Sequence, residues 1–199
     1  LGNGSDEILN FCFAAYFDRL SPVVFPDITY GFYKVFGDLY GSDYKQVPLD
    51  NALRVRTEDY IGVNRHIVLA NPNAPTGIAL ALSDIEKIVS SNPNNIVVID
   101  EAYIDFGGES CVPLIEKYNN LIVVMTFSKS RSLAGARVGF AIADSALAAD
   151  LNKIKYSTNP YNINSMSQNA AIAALESFEY YDENCKRIID NRRAFCCEL

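Results

Sequence analysis

Between residues 23 and 143, short runs rich in valine and isoleucine alternate with stretches in which apolar positions recur every three or four residues. A short continuous apolar run suits a strand covered on both faces, and the three-to-four repeat suits a helix packed along one face. The pattern predicts strands at VVF (23 to 25), YKQVPL (44 to 49), HIVLA (66 to 70), NIVVID (95 to 100), LIVVMTF (121 to 127) and VGFAIA (138 to 143). It predicts helices around 6 to 17, 30 to 37, 83 to 91 and 111 to 118. The first helix is the best marked: Ile8, Phe11, Cys12, Ala15 and Tyr16 form one stripe, Ser5 is placed to cap it, and Asp6 and Glu7 sit in its first turn. Beyond Asp144 the pattern is helical throughout, as SALAADLNKIKY, SMSQNAAIAALESF and a charged amphipathic stretch from about Glu179 onward. Strands alternating with helices favour parallel pairing through crossovers, so the expected fold is α/β, a three-layer α/β/α arrangement with a mainly parallel central sheet.

Composition narrows the functional classes. With 199 residues, 49% of them apolar and 21% charged, the chain can bury one sizeable core. A net charge of -7 argues against a nucleic-acid footprint, which needs clustered cations on one face. The one dense basic group, Lys186, Arg187, Arg192 and Arg193, has the spacing of a solvated helix face. Five cysteines, odd in number and without a CxxC pair, suit reduced thiols. No apolar run reaches the ~18 residues of a membrane span, and LGNGSDE lacks the basic start of a signal peptide, so the expected location is cytoplasmic. The chain begins with Leu1 and stops at CCEL inside an amphipathic pattern, so both ends read as cut from a longer protein. A single histidine, His66, precludes a histidine-rich zinc site within the chain, and its place at the start of a strand is that of a structural residue.

Candidate chemistry gathers where the predicted strands end, which in an open α/β sheet is where ligands bind. NPNAPTG follows HIVLA, DEAYIDF follows NIVVI, and FSKS follows LIVVMT. Asp100 comes after four apolar residues, and a buried carboxylate needs a cation or donors. Alone it is equally a turn cap; with Lys129 at the next strand end it asks for a positively charged ligand such as a protonated pyridine nitrogen, and Tyr103 could bond a hydroxyl on that ring. Lys129 becomes a nucleophile only when its amine is unprotonated, which burial and a nearby cation such as Arg137 would favour. Thr126 and Ser128 add hydroxyls and Arg137 a guanidinium, a set suited to phosphate. GNGSDE places backbone amides at a helix start, where they either cap the helix or hold an anion, with the Asp6 and Glu7 side chains turned away. It is not a dinucleotide fingerprint: Glu7 stands at the third glycine, and no strand is visible before it. Tyr30, in TYGFY, offers a ring for stacking or for the core.

Taken in order, GNGSDE, TYGFY, NPNAPTG, DEAYIDF and SKSRSLAGARVGF resemble the pyridoxal-phosphate-dependent aminotransferases of fold type I, and within them the histidinol-phosphate group. The resemblance covers nearly the whole chain. It implies that Lys129 carries pyridoxal 5'-phosphate as a Schiff base and shuttles a proton, that Asp100 pairs with the pyridinium nitrogen, that Tyr103 bonds the 3-hydroxyl, and that Tyr30 stacks on the ring. The amides of Ser5 and Asp6, with Thr126, Ser128 and Arg137, would hold the phosphate. Two departures stand out. The family commonly has asparagine directly before the proline of NPNAPTG, bonding the 3-hydroxyl, and here that residue is Ala74; the adjacent Asn73 is the candidate to replace it. Family members also have a further N-terminal segment and a C-terminal small domain. Residues 1 to 178 are therefore expected to be the cofactor-binding large domain and 179 to 199 the start of the helix leading onward, a piece expected to bind cofactor weakly and to be incompetent in transamination by itself. The reaction implied is transfer from histidinol phosphate to 2-oxoglutarate, with small-molecule amino donor and 2-oxo acid as partners and a homodimer as the working unit. An aromatic aminotransferase, a threonine-phosphate decarboxylase and an inactive cofactor domain are the alternatives, and a nicotinamide-dependent dehydrogenase fails on the glycine pattern.

Overall fold

The computed structural model describes residues 1 to 198. In chain order it contains β1 (Gly2–Asn3), α1 (Ser5–Tyr16), β2 (Val23–Pro26), α2 (Phe32–Tyr40), β3 (Tyr44–Val47), β4 (His66–Ala70), α3 (Leu82–Ser91), β5 (Val97–Asp100), β6 (Leu121–Thr126), β7 (Val138–Ala143), α4 (Ser145–Thr158), α5 (Ser165–Glu176) and α6 (Phe178–Glu198). Short 3-10 turns fill several connections, at Thr57–Tyr60, Ile104–Phe106, Val112–Glu116 and Ala134–Ala136.

The seven strands form one sheet in the order β1-β7-β6-β5-β4-β2-β3. Strands β3, β2, β4, β5 and β6 run parallel; at one edge β7 pairs antiparallel with β6, and β1 pairs antiparallel with β7. Alternation along the strands divides the core between two faces. Val23, Phe25, Val68, Val98, Ile122 and Val124 meet α1, α2 and α4 through Phe11, Phe13, Tyr33 and Leu151. Val24, Ile67, Leu69, Val97, Ile99 and Val123 meet α3 through Ile85, Ile88 and Val89. Each fully buried branched side chain contributes roughly 1.5–3 kcal/mol of transfer free energy, which makes the central strands the firmest part of the scaffold.

Several element boundaries differ from the sequence reading. The predicted helix at 111 to 118 is only a 3-10 run, Val112–Glu116, because Pro113 near its start is followed by too few residues before Asn119 and Asn120 to extend an α-helix. α2 begins at Phe32 rather than at 30, which leaves Tyr30 in the preceding turn, and it continues to Tyr40. β3 ends at Val47 because Pro48 has no N–H to continue a ladder. A two-residue strand, β1, does lie within GNGSDE, paired to β7. Gly4, not Ser5, is the N-cap residue of α1, and no side chain caps it.

His66 is structural, as its position suggested: its Nδ1 accepts from the Ile96 N–H at 2.8 Å, at the sheet end opposite the strand carboxyl ends. Burial lowers its pKa, with a smaller opposing pull from Asp18. Three of the four basic residues of α6 are paired on its exposed face, Lys186 with Asp182, Arg187 with Glu183 and Arg193 with Asp190. Among the described residues no helix is long and apolar enough to cross a membrane.

Candidate active site

The carboxyl ends of β4, β5 and β6 lie side by side at Ala70, Asp100 and Thr126, and a cleft of about 140 Å³ opens above them. β7 returns antiparallel, pairing Gly139 with Thr126 and with Gly2, so the start of α1 is carried to the same end of the sheet. Ser5, Asp6, Tyr30, Asp100, Tyr103, Thr126, Ser128, Lys129 and Arg137 all line this cleft. Every residue nominated from sequence except Asn73 is thus brought together.

Asp100 forms the floor. It is 4% exposed and shares the strand parity of Val98, which directs its carboxylate toward α1 and α2. Tyr33 donates to its Oδ2 at 2.9 Å and the Ala102 N–H to its Oδ1 at 3.2 Å. Burial pushes the Asp100 pKa up to about 6, the Tyr33 and Ala102 hydrogen bonds pull it down, Asp6 adds a push upward and Lys129 a pull downward. Tyr33 is itself buried, and its phenol is held well above the usual range by desolvation and by the carboxylate beside it. Sequence reading chose Tyr30 from TYGFY and passed over Tyr33, whose partner lies 67 positions away.

The opposite end of the cleft carries the Arg137 guanidinium beside the start of α1. Arg137 adopts φ 54°, and its Nη2 donates to the Asn3 carbonyl at 3.2 Å and approaches Asp6 Oδ2 at 3.4 Å. Its Nη1 donates to the Ala134 carbonyl at 3.2 Å. Gly4 has φ 82°, a conformation that favours glycine, and a Cβ there would stand 2.3 Å from Arg137 Nη2 and displace the guanidinium. Gly139 is as restricted, since a Cβ on it would meet the Gly4 backbone at 2.3 Å. Thr126 Oγ1 accepts from the Ser128 N–H at 3.1 Å and donates within 3.0 Å of Ser128 Oγ, which fixes the turn leading to Lys129.

Of the two acidic side chains expected to turn away from this end, one does and one does not. Glu7 does turn away, accepting from the Asn3 N–H at 2.6 Å and from Asn159 at 2.9 Å, and also from Asn162. Asp6 does not: its Oδ1 accepts from the Tyr30 hydroxyl at 2.7 Å while its Oδ2 faces Arg137. An acidic side chain in the first turn gains from the helix N-terminus and from the guanidinium, so it stays in the cleft.

Lys129 stands between the two ends, exposed in the cleft rather than buried, with Nζ 5.1 Å from the centroid of the Tyr103 ring. Its loop is anchored on the far side. Ser130 donates to Asp105, Arg131 Nη1 lies 3.6 Å from the same carboxylate, and the Arg131 guanidinium sits over Phe178 and Tyr181 of α6. Glu101, also passed over in the sequence, is buried and holds Ser110 at 2.6 Å and the Cys111 N–H at 2.7 Å, pinning the segment after Tyr103.

Asn73 lies outside the cleft. Thr29 donates to its Oδ1 at 2.8 Å, and its Nδ2 donates to the Ile28 carbonyl at 3.0 Å and to Thr76 Oγ1 at 3.1 Å. Its amide thus ties the NPNAPTG loop to the strand exit that carries Tyr30, while Ala74 presents a methyl group to the cleft.

Similarity to known proteins agrees with this arrangement. A family model for aminotransferase class I and II matches residues 1–199. A histidinol-phosphate aminotransferase of Acinetobacter baumannii (strain AB307-0294) is 47% identical over all of this chain and 55% of its own length. One from Lactococcus lactis subsp. lactis (strain IL1403) is 48% identical over 98% of this chain and 54% of its own length. The chain therefore spans about half the length of the curated relatives it matches. Among solved structures, the histidinol-phosphate aminotransferase from Clostridium acetobutylicum superposes with a TM-score of 0.89 at 26% identity, covering 99% of this chain and 60% of that one. The enzyme from Sinorhizobium meliloti in complex with pyridoxal-5'-phosphate gives 0.85 at 25% identity, covering 96% and 54%. With a whole-chain family match and this ordered set of residues around one cleft, the chain belongs to the class I and II aminotransferase family.

Proposed function

We propose that the protein carrying this chain is a pyridoxal-phosphate-dependent aminotransferase that moves an amino group from histidinol phosphate to 2-oxoglutarate in histidine biosynthesis. The observation that carries this reading is the polarity of the cleft: a buried carboxylate at one end, a guanidinium with hydroxyls and a helix N-terminus at the other, and one lysine between them. Pyridoxal phosphate fits that donor set. Asp100 would face the ring nitrogen, since its buried carboxylate has a tyrosine and an amide as hydrogen-bond donors but, among the described residues, no ion pair. Ser5, Thr126, Ser128 and Arg137 would hold the phosphate beside Gly4, where a side chain would displace the guanidinium. Tyr30 and Tyr103 would contact the ring, and the Ala74 methyl would take the place of the asparagine that many relatives offer.

Bound there, the cofactor supplies an electron-withdrawing cationic ring conjugated to an aldehyde, which takes up the substrate's amino group. Lys129 would hold the cofactor at its aldehyde through Nζ, and would be the base that takes up the proton removed at the substrate's α-carbon. In the open cleft its amine is exposed, so its desolvation comes from the molecule that covers it. Arg137 would exchange its contact with Asp6 for the phosphate, while the 2.7 Å hydrogen bond from the Tyr30 hydroxyl holds the Asp6 carboxylate in place.

The names of the curated relatives support the choice of amino donor. The partners are then small molecules, an amino donor and a 2-oxo acid. A homodimer is supported by the exposed apolar face of α2, where Phe32, Val35 and Leu39 stand open. A cytoplasmic location is supported by free buried thiols at Cys12, Cys111 and Cys185. The test is a coupled assay of glutamate formation by the protein carrying this chain, with histidinol phosphate, an aromatic amino acid and phosphothreonine compared as donors. The reading predicts a kcat/KM for histidinol phosphate at least ~100-fold above the others. Preference for the aromatic donor, or release of carbon dioxide from phosphothreonine, would overturn it.

A further inference from the structure

We propose that Tyr33 is a positioning residue of this site: its buried hydroxyl donates to Asp100 Oδ2, fixes the carboxylate plane and keeps it anionic toward a cationic ring nitrogen. The inference rests on the cofactor reading for its purpose, but not for its geometry.

Three observations carry it. The Tyr33 hydroxyl lies 2.9 Å from Oδ2, and Tyr33 has no exposed surface, so water does not compete for that hydrogen bond. The ring is clamped edge-on by Phe25 and Tyr30, with centroids at 5.9 and 5.7 Å, so the hydroxyl cannot swing away without disturbing the core. The other carboxylate oxygen accepts from the Ala102 N–H at 3.2 Å, so the two donors arrive from different elements and leave the cleft side of the group free.

The need for such a donor follows from the surroundings. Facing Asp100 are Cys12 and Asp6 from α1, Tyr30 and Tyr33 from α2 and its lead-in, and Lys129 from the turn after β6. Desolvation and Asp6 both favour the neutral acid, and the Cys12 thiol, pushed up to about 12, adds no cation. A neutral acid would not hold a ring nitrogen protonated. Hydrogen bonds to a charged group are stronger than those to a neutral one, so a fixed donor shifts the balance toward the carboxylate.

The test compares Tyr33→Phe, which keeps ring and volume, with the parent in two states. In the apoprotein, carbon-13 NMR of labelled aspartate carboxyls, assigned with Asp100→Asn, follows the Asp100 titration. The midpoint should rise by about one pH unit or more in Tyr33→Phe. In the loaded protein, the dissociation constant is measured for pyridoxal phosphate and for an analogue with C–H in place of the ring nitrogen. Affinity for pyridoxal phosphate should fall ~10-fold in Tyr33→Phe, whereas affinity for the analogue should not change. An unchanged midpoint, or equal losses for both ligands, overturns the proposal, because a merely structural tyrosine would treat the two alike. Should the parent fail to bind pyridoxal phosphate while the midpoint still moves, the cofactor reading falls and the Tyr33 to Asp100 coupling stands.

Discussion

At the scale of single residues, the anion end of the cleft depends on atoms that are absent as much as on those present. Gly4 at φ 82° leaves room for a guanidinium that a methyl group would meet at 2.3 Å. Gly4→Ala should combine backbone strain of ~1–3 kcal/mol with displacement of Arg137. Melting temperature and pyridoxal phosphate affinity should therefore both drop, and an affinity unchanged in a folded variant would show that Arg137 does not serve the phosphate. Residues of this kind were legible in sequence where a polar group interrupts an apolar strand, as Asp100 does after Val97, Val98 and Ile99. Tyr33, Glu7 and Glu101 were not, because their side chains are defined by their partners. The Glu7 carboxylate meets Asn159 across 152 positions of sequence, and nothing local to GNGSDE distinguishes it from Asp6 beside it.

At the scale of elements, Lys129 is positioned by the far side of its own loop. Asp105, on the short turn after Tyr103, holds Ser130 and faces Arg131, and Arg131 in turn lies over two aromatic rings of α6. Asp105→Ala should leave the cleft residues in place but loosen residues 128 to 132, so that covalent capture of pyridoxal phosphate slows by ~10-fold while initial non-covalent binding is retained. Stopped-flow absorbance separates the two phases, and equal effects on both would contradict this role. The strands and α1 could be read from periodicity because burial on two faces leaves a long uniform signal. The short turns could not: Val112–Glu116 carries helix-like apolar spacing, yet Pro113 and the brevity of the run decide its form.

For the molecule as a whole, the buried carboxylate of Asp100 costs stability. Asp100 ionises in the unfolded chain near its ordinary value of 3.8, whereas burial holds it back to about 6 in the fold. Below about pH 4 both states carry the proton and the group is neutral in effect. Between those values the unfolded chain has lost the proton and the fold has not, so stability falls as pH rises and levels off above about 6. Replacing Asp100 with asparagine should stabilise the apoprotein at pH 8 by up to ~3 kcal/mol, and the advantage should vanish at pH 4. Saturation with pyridoxal phosphate should narrow or reverse the difference, because only the carboxylate gains from a cationic ring. Thermal melts of both proteins at the two pH values check this, and a parent more stable than the variant at pH 8 without ligand would refute it. The overall architecture was visible in the alternation of strand and helix signals. Its antiparallel edge was not, because β1 is two residues long and owes its existence to β7.

The central claim is that Lys129 is the residue that takes the cofactor. Incubation with pyridoxal phosphate, reduction with borohydride and peptide mapping tests it most directly, with Lys129→Ala as control. The account predicts one reduced adduct on the peptide containing Lys129 and none in the variant. A folded parent that leaves Lys129 unmodified, or a label that persists on another lysine when Lys129 is removed, would contradict it.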